Sequence, residues 1–580
     1  MKSAVHGAFA LLLGLVIDLP TTAQWVRARS PGFEFYTDVD VQTALQLAGQ
    51  FQRVCVAFHQ LGGVPNPSPV PVRIFLFSSE REFARYRPTP KTRGFFQSGP
   101  DRDYIVLVDS GAETLRVLLH EYVHLVLHRS LPRLPAWLEE GLAEFYSTLR
   151  LDGDQLVVGI PLSQHLSLLA KGSWLSDEEL RTFRPVTADA AVQTRLDMFY
   201  AQSWALVHML LTAPAYRHAS SRFLERVAIG RPTPEAFLET FGKPWNEALR
   251  DLSRYVRHGS FPVLRVPCQA PPLQRLPVEP LTLQESALAL VDLQLKLGRW
   301  EWPESTVNAL ARSSRYTAEV EYARGLVALA RGQKDRARMH FERAIQLGIP
   351  NASAYFEYAM LLSEDGTQPR RVRELLERAI ALNPAHADAH FLLGLAAERD
   401  GQLAEAIEHY QRATRVLPRR THFWHALALA YQKQGQRELA AHAAQRALMT
   451  AETEQEKAMA ASVLRWIEQP GQTVTRPREG IHIPDAWRPP RGERTAEGFL
   501  EYISCEGERA WFRVRGVGGN TLLLLVERPD RVQIRGEAEP LSLACGHQPS
   551  VPVRVEFTPL QAGTASESAA RGYLVALEFR

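Results

Sequence analysis

Two histidines and a run of acids hold the densest chemistry in this chain. His120 and His124 stand four residues apart with Glu121 beside the first, and Glu139, Glu140 and Glu144 follow within one further segment. Residues at i and i+4 share a helix face, so both imidazoles can reach one divalent metal. A tetrahedral catalytic zinc takes three protein ligands and keeps one position for water, and one of the later acids completes a set of two His and one Glu. Glu121 stands where it can take a proton from a water on that metal. Composition sets the background. With 18 His and 64 Asp+Glu in 580 residues, a His-acid-x-x-His string arises by chance in at most about 6% of such chains.

The surrounding residues say what must position these groups. Leu115, Val117, Leu118, Leu119, Val123, Leu125, Val126 and Leu127 predict a mostly buried helix, opened by a capping-box pattern, Ser110-Gly-Ala-Glu113. A buried helix rarely carries so many ionisable groups unless they are paired or bind metal. His128 reads as a helix C-terminal histidine interacting with the dipole. A second helix is expected from Ala136 to Leu149, with Pro135 at its start and Trp137, Leu138, Leu142, Phe145 and Leu149 at helical spacing. Glu140 and Glu144 share its face, and Gly141 would let the two helices approach closely. Upstream, Val70–Phe77 and Asp103–Asp109 read as strands. Gly94–Ser98 can pair with the second of these through a Gly99-Pro-Asp101 turn.

The segments HEYVH (His120–His124) and WLEEGLAEF (Trp137–Phe145) resemble the gluzincin metallopeptidases, the group containing thermolysin and the aminopeptidase-N-like enzymes. They are most similar to the "peptidase MA-like" domain of bacterial exported proteins. The resemblance implies zinc held by His120, His124 and Glu140, with Glu121 as the general base and Glu144 as a supporting acid. Fifteen residues separate His124 from Glu140, a shorter gap than in thermolysin or the aminopeptidases, which keeps Glu144 open as the alternative ligand. Tyr200, in Phe199–Val207, resembles the tyrosine that stabilises the transition state in many gluzincins; the other reading is an aromatic on an amphipathic core helix. The resemblance further implies an edge strand that captures extended substrate, either Gly94–Ser98 or Tyr104–Val108.

The N-terminus reads as an export signal: Lys2, an apolar run from Ala8 to Ile17, then Thr21-Thr22-Ala23 before Gln24. That run is too short to span a bilayer, and no later stretch reaches a transmembrane length. The expectation is an exported protein, periplasmic or secreted, from a bacterium. Four cysteines exclude a disulfide scaffold; Cys505 and Cys545 could bridge within the C-terminal segment. A net charge of +3 gives no reason to expect nucleic acid.

Beyond a proline-rich stretch, residues repeat with a period near 34. Leu393-Gly394, Ala406, Tyr410, Ala413 and Pro418 mark one unit, and Trp424, Leu427, Tyr431, Ala440 and Ala447 the next. Gly325, Ala337, Phe341 and Ala344 mark an earlier one, and Ala379 and Pro384 the unit between. This resembles the tetratricopeptide repeat, which implies a helical solenoid with a concave face that binds a protein or peptide. After Pro470 short alternating runs separated by turns predict a small β-barrel or sandwich of five to seven strands.

The expected fold is multidomain α+β: a thermolysin-like zincin domain, an α-helical tetratricopeptide-repeat solenoid and a small all-β domain. The expected boundaries are a signal peptide at 1–24, the metallopeptidase-like domain at 25–260 and a Pro-rich linker at 261–283. Repeats follow at 284–468, clearest over 318–454, and the β domain at 475–580. The expected function is zinc-dependent peptide hydrolysis, with a protein partner at the concave repeat face. The alternative is a non-catalytic repeat scaffold on a relict peptidase fold.

Overall fold

The computed structural model describes residues 24–62, 71–99, 101–131, 134–183, 190–269, 272, 276–313, 317–364, 368–468, 494–506, 509–516, 520–526, 533–535, 546–559 and 572–579. Its N-terminal strands are β1 (Val26–Ser30), β2 (Phe33–Thr37), β3 (Val72–Phe77), β4 (Gly94–Gln97) and β5 (Asp103–Val108). The strands β6 (Arg150–Asp152) and β7 (Gln155–Val158) form a hairpin, and β7 pairs on its other side with β8 (Leu264–Pro267) in a small separate sheet. With β9 (Val278–Pro280), the main sheet runs β4-β5-β3-β2-β1-β9. Its centre, β5-β3-β2, is parallel, and β4, β1 and β9 add on antiparallel.

The helices of this half are α1 (Val41–Gly62), α2 (Glu80–Phe83), α3 (Thr114–Ser130), α4 (Ala136–Tyr146), α5 (Ser163–Lys171), α6 (Asp177–Thr182) and α7 (Ala190–Thr212). Four shorter ones follow: α8 (Pro214–Arg217), α9 (Ser220–Ala228), α10 (Thr233–Phe241) and α11 (Trp245–His258). Side chains alternate across a strand, and β3 shows what each face covers. Val72, Ile74 and Leu76 pack into the core that contains α1 and α3. Phe75 and Phe77 turn the other way, into a second core closed by Ala289, Leu290 and Leu293. Those three belong to α12 (Leu283–Lys296), the first helix of the solenoid. Sheet and solenoid therefore share a layer boundary. The stretch expected as a linker, 261–283, is woven into the N-terminal half as β8 and β9, because the edges of both sheets take them up as strands.

The solenoid continues with α13 (Glu301–Ser313), α14 (Ala318–Ala330), α15 (Lys334–Gln346), α16 (Ala352–Ser363) and α17 (Pro369–Leu382). It ends with α18 (Ala387–Arg399), α19 (Leu403–Val416), α20 (Thr421–Lys433), α21 (Arg437–Thr450) and α22 (Glu454–Glu468). Small residues at the repeat positions let the paired helices pack closely. A Cβ on Gly325 would lie 2.4 Å from the Phe341 ring, and one on Gly394 2.5 Å from Tyr410. Ala359 and Ala428, at the matching positions of the other units, are fully buried.

The last strands are β10 (Arg494–Glu506), β11 (Arg509–Gly516), β12 (Thr521–Val526), β13 (Gln533–Arg535), β14 (Gly546–Pro559) and β15 (Gly572–Phe579). β12 pairs with β11 on one side and with β15 on the other, so the path β12-β11-β10-β14-β15 closes on itself. This is a five-stranded barrel around Leu500, Phe512, Val514, Leu524 and Val555. The signal-peptide reading, apart from Gln24, and the Cys505–Cys545 pairing fall outside the described residues, while Cys55 and Cys268 are free thiols. Among the described residues no helix is long and apolar enough to cross a membrane.

Candidate metal site

The helix that carries HEYVH starts differently from the expected capping box. Gly111, at φ +62°, sends the chain through a 3-10 turn, and Ser110 makes no side-chain cap. Asp109 takes that role instead. Its carboxylate accepts from Gly111 N (3.1 Å) and Thr114 Oγ1 (2.6 Å), while Thr114 Oγ1 accepts from Ser110 N (2.8 Å). Glu113 turns to Arg116 Nε at 2.6 Å. The second helix, α4, also differs in its packing partner. A Cβ on Gly141 would meet the Ser203 carbonyl at 2.4 Å and Val207 at 2.6 Å, so this glycine seats α4 on α7 and not on α3.

These contacts bring His120, His124 and Glu140 together, one ligand atom from each lying within 4.8 Å of the others. The two Nε2 atoms are 3.1 Å apart, and Glu140 Oε2 lies 3.6 Å from that of His120 and 3.3 Å from that of His124. The edge of a tetrahedron around zinc, at ligand distances near 2.0–2.1 Å, is roughly 3.3 Å. Glu140 Oε2 is also buried without a hydrogen-bond partner, which a bound cation would relieve. The residues fit zinc.

Electrostatics agree with a cation-seeking cluster. Burial works against charge on Glu140, yet His124 and His120 hold its carboxyl well below the usual range. Burial likewise opposes charge on His124, and Glu140 overrides it, lifting that imidazole to about 9.

Glu144 lies outside this cluster. Its Oε1 lies 3.5 Å behind His120, at Nδ1, and its Oε2 is 3.4 Å from both Arg116 and His165 Nε2. An acid on the far nitrogen favours the ring orientation that turns His120 Nε2 toward the cluster. His165, on α5, was not anticipated: no spacing rule ties it to Glu144, and a tertiary contact brings it there.

A cavity of about 350 Å³ opens over the cluster, walled by β4, the C-terminal half of α3, the start of α4, and Tyr200 of α7. Glu121 lines it and is buried, which raises its carboxyl above the usual range, while His120, His124 and a hydrogen bond from the Phe96 backbone pull the other way. Burial, then the charges of Glu140 and Glu121, keep the Tyr200 hydroxyl protonated and so a donor. Of the two candidate edge strands, β4 is the edge; Tyr104–Val108 lies inside the sheet between β4 and β3. Gly94 lets β4 pass over α3, since a Cβ there would lie 2.6 Å from Val117 and 3.4 Å from Glu121.

His128 also lines this cavity, beside Phe96 (ring centroids 5.6 Å apart). Burial and Arg419 depress its imidazole to about 3. It is therefore a neutral ring accepting from Arg419 Nη1 at 3.2 Å, not a charged partner of the helix dipole.

The comparisons with known proteins speak to the repeats. A tetratricopeptide-repeat family model matches residues 322–370 and 365–418. This stretch therefore carries such repeats, which implies a protein or peptide partner. Similar solved structures include MamA, 24% identical, over 29% of this chain and 96% of that one, TM-score 0.24. MamA from Desulfovibrio magneticus RS-1 is 24% identical over 29% and 93%, TM-score 0.24. YrrB, described as a TPR protein with an unusual peptide-binding site, is 20% identical over 30% and 91%, TM-score 0.25. No curated protein matches. The thermolysin-like expectation for residues 25–260 therefore rests on its site alone.

Proposed function

We propose that the chain is a zinc-dependent peptidase of gluzincin type, exported to the periplasm or secreted, with its repeats serving a protein or peptide contact. The convergence of His120, His124 and Glu140 beside Glu121 in one cavity carries this reading. His120, His124 and Glu140 would hold the metal, with Glu144 bracing His120. Zinc, when bound, supplies polarisation of a peptide carbonyl and of a water. Glu121 would accept a proton from the attacking water and return it to the leaving amine. Tyr200 donates its hydroxyl to the oxygen that gains charge. The unpaired side of β4 offers backbone groups to an extended peptide. Export is supported by the apolar Ala8–Ile17 segment.

The test is Glu121→Gln in the full chain, assayed for zinc by elemental mass spectrometry and for peptide hydrolysis. About one zinc retained, with hydrolysis reduced by roughly 10²–10⁴, is expected; hydrolysis at the parent rate would overturn the assigned base. A second reading, a non-catalytic repeat scaffold, is favoured by the family match, which covers the repeats. A parent protein that takes up no zinc even when supplied with it, and cleaves no peptide, would make that reading the better one.

A further inference from the structure

The repeat face that should hold a partner holds a piece of this chain. The turn between β4 and β5 enters the first-helix side of the solenoid, with Asp101 at its tip only 4% exposed. Asp101 accepts from Ser353 Oγ of α16 and lies 3.6 Å from Lys296 Nζ of α12; its backbone carbonyl accepts from Asn383 Nδ2 at 3.4 Å. Burial opposes charge on Asp101, but Lys296 and Arg102 hold it ionised.

A second contact reaches the metal helix itself. Arg129, in the last turn of α3, binds Asp103 at 2.8 Å and the Gly99 carbonyl at 3.0 Å, and reaches the Val416 carbonyl at the end of α19 at 3.3 Å. Three residues on, between α19 and α20, Arg419 donates to the Leu127 carbonyl at 3.1 Å and the Leu131 carbonyl at 2.8 Å. Those oxygens close the C-terminal end of α3: the Leu127 carbonyl also accepts from the Leu131 N–H at 3.0 Å, and Leu131 is the residue that caps the helix. The same guanidinium donates to His128 Nδ1 and lies 3.6 Å from Glu139. Guanidinium has no acceptor, so His128 Nδ1 carries no proton, and a neutral ring then has its N–H at Nε2.

We infer that the repeats act in cis. Arg419 and the Asp101 turn position two walls of the candidate site, β4 and the C-terminal turn of α3, and Arg419 sets His128 as an N–H donor to bound substrate. The inference rests on the peptidase reading for the role of His128. The clamp itself does not depend on it. Arg419 is a positioning residue acting through His128 and the helix end; it does not touch the ligand cluster.

The test uses full-length Arg419→Ala, Arg419→Lys and His128→Ala beside the parent, read by hydrogen–deuterium exchange, zinc content and peptide kinetics. For Arg419→Ala, exchange should be about tenfold faster in residues 94–99 and 127–131, unchanged in 72–77, with zinc retained and KM about tenfold higher at near-parental kcat. Arg419→Lys, with one donor head in place of a fork, should recover part of both effects. His128→Ala should raise KM alone. Parental exchange in Arg419→Ala would overturn the clamp, and a KM unmoved by both Arg419→Ala and His128→Ala would overturn the donor role. If the parent cleaves no peptide, the peptidase reading fails with the donor role, while exchange, which needs no turnover, still decides the clamp.

Discussion

Glu144 stands behind one member of the candidate metal cluster. Without it His120 loses the only acid placed on its Nδ1 side among the described contacts, and either ring nitrogen can then face the cavity. Glu144→Ala should weaken zinc binding about 10–100-fold, measured by competition with a chelator, while leaving the three ligands in place. An affinity equal to the parent's would show that His120 is held by packing alone. At this scale the sequence was legible where the geometry was local. His120 and His124 share a face by spacing, and the pairing of Glu140 with Glu144 offered two acids in one register. Choosing between them needed the rotation of α4 against α3, which tertiary packing sets, the close seat of Gly141 on α7 included. Arg116 lies one turn before His120 and could have been flagged by the same spacing. His165 could not, because it arrives from α5.

At the scale of elements, two glycines set the site's shape. Gly94 lets β4 lie on α3, and Gly141 seats the ligand helix α4 against the helix that carries Tyr200. Gly141→Ala would set a methyl 2.4 Å from the Ser203 backbone carbonyl, which cannot swing aside as a side chain end can. The helices must part, and the cost of such overpacking is about 1–3 kcal/mol, offset by roughly 0.5–1 kcal/mol from the better helix propensity of Ala. Denaturant unfolding should show a net loss, and zinc affinity should fall with it as Glu140 shifts. Unchanged stability would mean that α4 and α7 have slack between them. The elements themselves were largely visible from periodicity: α3, the β4–β5 hairpin and the repeat helices fall where apolar spacing put them, while α4 ends at Tyr146, short of the expected Leu149. The helix start at Ser110 was misread because Gly111 adopts a left-handed conformation and hands the cap to Asp109. A four-residue pattern does not contain that information.

At the scale of the whole molecule, the contacts that matter most link residues far apart in the chain, and they are the part the sequence concealed. Asp101 and Ser353 meet across 252 positions, and no periodicity reaches that far. The proline-rich stretch looked like a spacer, yet its β9 joins the sheet whose other face α12 covers, so repeats and sheet are built into each other. Where they meet, acids crowd. Glu357 of α16 faces Lys296 of α12, Asp101 of the β4–β5 turn and Asp388 of α18. Burial, opposed by Lys296 and reinforced by Asp101 and Asp388, lifts its carboxyl from 4.5 to about 7. The folded chain then keeps a proton that the unfolded chain has already released, so stability at this junction falls as pH rises from about 4.5 to about 7 and stays low above that. Glu357→Gln removes the titration while keeping a side chain of the same shape. Its melting temperature relative to the parent should therefore rise between pH 5 and pH 8, with the gain confined to that window. A difference between variant and parent that is the same at both pH values would mean that Lys296 already compensates the charge, and that the junction is held together across this range as an ion pair.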